Sequence, residues 1–228
     1  MEQEEREQGD GMTPFEVKDC ALLLRMSGLS PAGNLRELRE RITGCSENVL
    51  FHHYCETTLR TTFDNPDYRN DFAVWAKLYL GDRVLAERLG ILDPYTFRSL
   101  EELRAATLEV IDERLGESLM VPWARPGDEL FFLEATTVVF DAGIRITQPS
   151  RLGAFIRKMT DGSVYYHFLE ARRRPPFGKD DFTLWLMENE DANRPYILAL
   201  ASVDFYFHSL PHLRRELASV LTEAKVAK

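Results

Sequence analysis

"NDFAVW", residues 70–75, recurs as "DDFTLW", residues 180–185, at an offset of 110. The same offset relates "SLEELR" (99–104) to "SLPHLR" (209–214). "NVLFHHY" (48–54) faces "SVYYHFL" (163–169) at 115, and the difference is absorbed where "TTFDNPDYRNDF" shortens to "PPFGKDDF". Upstream, "PFEVKDCALLLRMSG" faces "FFLEATTVVFDAG". Four segments in the same order at nearly one offset read as an internal repeat. The pattern divides the chain into an acidic disordered tail (1–12), a first repeat (13–115), a connector (116–129), a second repeat (130–221) and a C-terminal tail (222–228). The connector, "GESLMVPWARPGDE", is rich in Gly, Pro and charge, as boundaries between folded segments are. Two copies of one module are expected to pack about a pseudo-two-fold axis, by analogy with isologous dimers.

Each repeat is helix-rich. In "NLRELRERI" (34–42), Leu35, Leu38 and Ile42 share one face, and Asn34 with Glu37 forms a capping box. Phe72, Trp75, Ala76 and Tyr79 make one stripe, and Phe182, Trp185 and Leu186 its counterpart. Ser99 with Glu102 opens another capping box, and Pro195 suits the first turn of its helix. "ATTVVF" (135–140) reads as a strand; "CALLL" (20–24) reads equally as strand or helix. Glycine turns are expected at Gly28 and Gly143. The fold class is mainly α, extending to α+β if each half opens on a short strand or hairpin, with about four helices per half.

The charge balance, 28 Lys and Arg against 37 Asp and Glu, leaves a net −9, which argues against nucleic acid as a partner. No apolar run reaches bilayer length, so no membrane span is expected. "MEQEEREQGDG" is too polar and acidic for a signal peptide. Three cysteines without CxxC spacing, Cys20, Cys45 and Cys55, suit reduced thiols in a cytoplasmic protein.

Candidate chemistry centres on two histidines. His52 with Glu56 stands at i and i+4, and His167 with Glu170 at i and i+3, so each pair could reach one metal ion. Asp71 and Asp181 are the natural third ligands. Against this, a histidine among aromatics is usually a satisfied core residue, and Asp71 and Asp181 precede apolar helical stripes as N-caps do. The alignment matches His52 with His167 and replaces His53 by Phe168. Arg172, Arg173 and Arg174, followed by "PP", suit the C-terminus of a helix, with an anion site as the alternative. "GLSPAGN" (28–34) has the glycine spacing of a phosphate loop but lacks its lysine. No GxGxxG, GxSxG, HExxH or CxxC occurs.

At "VKDCAL", "NLRELRERI", "YRNDFAVWAKLYLGDRVLAERLGILDP" and "VYYHFLEARRRPPFGKDDFTLW", the chain resembles a bacterial family of unknown function built from a duplicated, helix-rich domain. The shared pattern is a His after aromatics, then DFxxW, then LGDxxLA, and it covers nearly the whole chain beyond the acidic tail. Departures fall at His53, where an aromatic is usual, and at Asn189–Ala192, where the second LGD is lost. The resemblance implies no reaction, cofactor or catalytic residue. The reading that follows is a non-enzymatic binding or regulatory module, with no cofactor, whose partner is an unidentified protein or small ligand held in a groove between the halves. The rival is a metal-assisted hydrolase using His52, Glu56 and Asp71, or His167, Glu170 and Asp181.

Overall fold

The computed structural model describes residues 12–59, 68–117, 119–176, 178–205 and 208–226. Almost all of the expected acidic tail lies outside them. Two strands, β1 (Phe15–Met26) and β2 (Leu133–Ile146), pair antiparallel in a two-stranded sheet. Both are longer than the short strands expected. The ambiguity of "CALLL" has a physical origin. Phe15 and Val17 are buried and Glu16 between them is exposed, a period of two, but Leu23, Leu24 and Met26 are exposed, so the later part of β1 shows no alternation to read. Gly28 turns the chain after β1 at φ +83°. Gly143, expected in a turn, lies inside β2 at φ +71°, a conformation open to glycine because it has no Cβ. The Asp141 carboxylate accepts its N–H at 2.8 Å.

The chain forms two compact units, one of continuous chain (22–138) and one of two segments (1–21 and 139–228). The strand pair is divided between them: 22–26 and 133–138 go with the continuous unit, 15–21 and 139–146 with the two-segment unit.

The continuous unit contains α1 (Leu35–Gly44), α2 (Glu47–Cys55), α3 (Asp71–Leu78), α4 (Arg83–Gly90) and α5 (Leu100–Glu117). Helix α1 begins where expected: Asn34 Oδ1 accepts the Glu37 N–H, and the Glu37 carboxylate accepts the Gly33 N–H, one residue before the cap. Ser99 and Glu102 repeat the arrangement, with the carboxylate on the Arg98 N–H. Leu35, Leu38 and Ile42 pack with Leu50, Tyr54, Phe72, Trp75, Leu85, Leu89, Leu103 and Phe132 in one core, each large apolar side chain contributing about 1.5–3 kcal/mol of burial. The Tyr54 hydroxyl meets Thr107 Oγ1 at 2.7 Å, so its polar end is satisfied.

The two-segment unit has shorter, more varied turns. Helices α6 (Leu152–Ile156) and α7 (Asp161–Val164) lead into one π turn (Tyr165–Leu169) and a 3-10 turn (Glu170–Arg173). Then come α8 (Asp181–Leu186), α9 (Glu190–Ala201) and α10 (Leu210–Val226). Pro195 stands inside α9 rather than in its first turn, because the helix already begins at Glu190. Val17, Leu152, Ile156, Val164, Phe168, Phe182, Leu186, Leu200, Leu213 and Leu217 are buried here.

Candidate functional site

The aspartates expected to cap helices stand one residue too far along. Asn70 Oδ1 accepts the Ala73 N–H at 2.9 Å, and Asp180 Oδ1 accepts the Thr183 N–H at 2.9 Å. Asn and Asp cap equally well, so "ND" and "DD" leave the choice open until tertiary contacts fix it. Asp71 and Asp181 are the first helical residues instead. Asp71 Oδ2 lies 2.6 Å from His53 Nδ1, and Asp181 Oδ2 lies 2.7 Å from His167 Nδ1.

The other ring nitrogen of each histidine is spent on a strand. His53 Nε2 accepts the Leu133 N–H at 3.0 Å, and His167 Nε2 accepts the Lys18 N–H at 2.8 Å. An amide N–H can only donate, so Nε2 is unprotonated and Nδ1–H donates to the aspartate. The indoles behave alike: Trp75 Nε1–H donates to the Asp128 carbonyl at 2.9 Å and Trp185 Nε1–H to the Thr13 carbonyl at 2.6 Å. Each acceptor precedes the strand residue on its histidine by the same five positions. Phe72 and Phe132 lie against His53, and Phe15 and Phe182 against His167. By these bonds the counterpart of His167 is His53, not His52. His53 sits on the regular α2 and His167 on a π turn; winding differs, so rank in the sequence does not decide which ring faces the strand.

His52 is fully buried, with Nδ1 2.9 Å from Glu56 Oε2 and Nε2 without a hydrogen-bond partner among the described residues. Glu56 Oε1 accepts the Thr137 hydroxyl at 2.9 Å. His52 and Glu56 therefore meet, while Asp71 turns to His53. His167 and Asp181 meet, while Glu170 Oε2 stands 2.7 Å from Arg174 Nε.

Around His167 the two-segment unit opens a cleft of about 400 Å3. Phe15, Leu184 and Trp185 supply apolar walls, and Lys18, Tyr166 and Arg174 a polar one, with Glu16 and Glu188 at hand. Arg174 stacks over the Tyr166 ring at 4.4 Å and donates to Asp181 Oδ2 at 2.9 Å and to the Tyr166 carbonyl at 3.1 Å. Burial pushes the Glu170 carboxyl and the Tyr166 hydroxyl above their usual ranges, with Arg174 pulling both back in part. Lys18, Tyr166 and Glu188 carried no signal in the sequence, because only the fold brings residues 14–18 to the 166–188 segment.

The arginine run does not act as one patch. Arg172 donates to Asp180 Oδ2, the Phe168 carbonyl and the Gly178 carbonyl, and stacks on Phe168 and Phe205. Arg174 serves Glu170 and Asp181. Burial raises the Asp180 carboxyl, opposed by the Thr183 N–H and Arg172. In "GLSPAGN", Ala32 bridges to Leu130 and Asn34 caps α1, which are structural duties. All three cysteines are buried, and no disulfide joins them.

A family of unknown function, DUF5752, matches residues 12–222. The chain belongs to DUF5752. This DUF5752 chain is also similar to a solved structure, OrfY from Thermoproteus tenax, at 26% identity and a TM-score of 0.77, over 95% of this chain and 99% of that one. A comparison with curated proteins finds no match. Among the described residues of this DUF5752 chain, no helix is long and apolar enough to cross a membrane.

Proposed function

We propose that the chain is a non-enzymatic binding or regulatory module whose ligand, a small polar molecule or a protein segment, enters the cleft beside Tyr166, Arg174 and Trp185. One observation carries this reading. His167, the cleft's natural base or metal ligand, has both ring nitrogens engaged, on Asp181 and on the Lys18 N–H. What remains for a visitor is an aromatic wall and charged groups, the composition of a recognition site. The volume suits a ligand of modest size.

The chain is read further as a tandem duplication, 13–115 and 130–221 about a pseudo-two-fold axis. Support comes from the matched aspartate–histidine–strand bonds, the matched caps at Asn70 and Asp180, and the matched indole bonds of Trp75 and Trp185. The setting proposed is the cytoplasm, on three buried cysteines that form no disulfide.

The test is native mass spectrometry of the full chain purified from its own cells, beside Arg174→Ala and Tyr166→Ala. The expected result is a bound molecule, or a co-purifying protein, that wild type retains and both variants lose. Turnover of phosphate, ester or glycosyl substrates that His167→Ala or His52→Ala abolishes would replace this reading with the hydrolase.

A further inference from the structure

"HSLPHLRRE" (208–216) places His208, His212 and Glu216 four residues apart in turn. The Ser209 carbonyl accepts the Leu213 N–H at 2.8 Å, so α10 starts just after His208. His212 and Glu216 then lie on one helical face, and His208 folds back over it. One ligand-capable atom from each residue lies within 4.8 Å of the other two. The imidazoles stack at 4.2 Å between centroids with 24° between their planes. His208 Nδ1 stands 2.7 Å from Glu216 Oε2. Both atoms are shielded from solvent. The two atoms face each other as an ion pair, and with a ring nitrogen of His212 close by they form a cluster that one cation could share. His212 remains exposed, which leaves a way in. The nearby cation Arg214 is held away, on the Met159 carbonyl and Asp161.

We propose that His208, His212 and Glu216 bind one divalent transition-metal ion of the zinc class. Two imidazole nitrogens and one carboxylate oxygen are a zinc donor set that keeps a fourth position open for water or another ligand. Calcium and magnesium prefer all-oxygen shells and are not suited to it. Bound metal ties His208, two residues ahead of α10, to the first two turns of that helix, so it stabilises this part of the fold. The site shares no residue with the cleft and stands whether or not the cleft binds a ligand.

The experiment uses the full chain without a histidine tag, stripped by chelator and titrated with Zn2+ in a calorimeter. Co2+ supplies a visible spectrum as a second readout. One equivalent of Zn2+ is expected, with Mg2+ giving no heat. His212→Ala and Glu216→Gln should each weaken Zn2+ binding at least about tenfold, since losing a ligand costs no less than losing an outer-shell partner. Both should also change the Co2+ bands, while Arg174→Ala leaves the affinity unchanged. His212 is exposed and Glu216→Gln is nearly isosteric, so both variants should keep wild-type circular dichroism. Absence of Zn2+ binding, binding unchanged in both variants, or Mg2+ binding as tightly as Zn2+ overturns the proposal.

Discussion

At the scale of single residues, the decisive positions are those where two polar groups leave each other no spare capacity. His53 and His167 each join an aspartate to a strand amide. Asp180 is at once an N-cap and the partner of Arg172. Its carboxyl is raised by burial, which fixes a sign. A raised folded-state pKa contributes stability below the unfolded value, near pH 4, and that contribution is lost as pH rises through the folded value. Asp180→Asn keeps the cap, as Asn70 does in the other unit, and removes the titration. Urea midpoints measured from pH 4 upward should fall less steeply for Asp180→Asn than for wild type. Parallel curves would show that Asp180 does not titrate in the fold. The sequence made the histidines and aspartates visible as candidates but not their pairing. Which of His52 and His53 meets Asp71 depends on helix phase against a strand, and the one-residue shift of the caps depends on which carboxylate the histidine claims.

At the scale of elements, capping and apolar stripes were readable because they act over three or four residues. The starts of α1 and α5 follow Asn34 and Ser99, as their spacing to Glu37 and Glu102 indicates. The strands were harder, since exposed Leu23, Leu24 and Met26 imitate a buried run. Close approaches were not readable at all. A Cβ on Gly162, in α7, would stand 2.5 Å from the Cys20 carbonyl oxygen and from Asp19 Oδ1. Backbone cannot yield cheaply, so Gly162→Ala should cost about 1–3 kcal/mol. Gly116→Ala, in α5 with nothing within 4 Å, should be neutral or gain up to about 1 kcal/mol from helix propensity. Denaturant unfolding of the pair checks both, and equal effects would mean that α7 does not rest on β1 as described. The triad at His208, His212 and Glu216 is the opposite case: its four-residue spacing stands in the sequence, and only the stacking of His208 over the helix depends on the fold.

At the scale of the whole chain, repeat boundaries in sequence and compact units in space differ. The unit that holds α1 to α5 also holds residues 130–138, among them buried Phe132 and the Leu133 N–H that meets His53. A fragment 13–115 lacks both, while 22–138 contains them. Circular dichroism should therefore find 22–138 folded, with a sharper and later thermal transition than 13–115. Equal stability would mean that the strand segment contributes nothing to that core. Offsets in the sequence could not reveal this arrangement, because a repeat comparison records likeness along the chain and not which segment supplies a covering strand.

The central claim is that the two aspartate-bound histidines are structural ties, and that the cleft around His167 binds rather than catalyses. Nitrogen–proton correlation spectra of the imidazole rings at neutral pH test it most directly. His53 and His167 should both appear as Nδ1–H tautomers with unprotonated Nε2, unmoved when Mn2+ or Zn2+ is added. An Nε2–H tautomer at either ring, or a metal-induced shift at His167, would contradict the account.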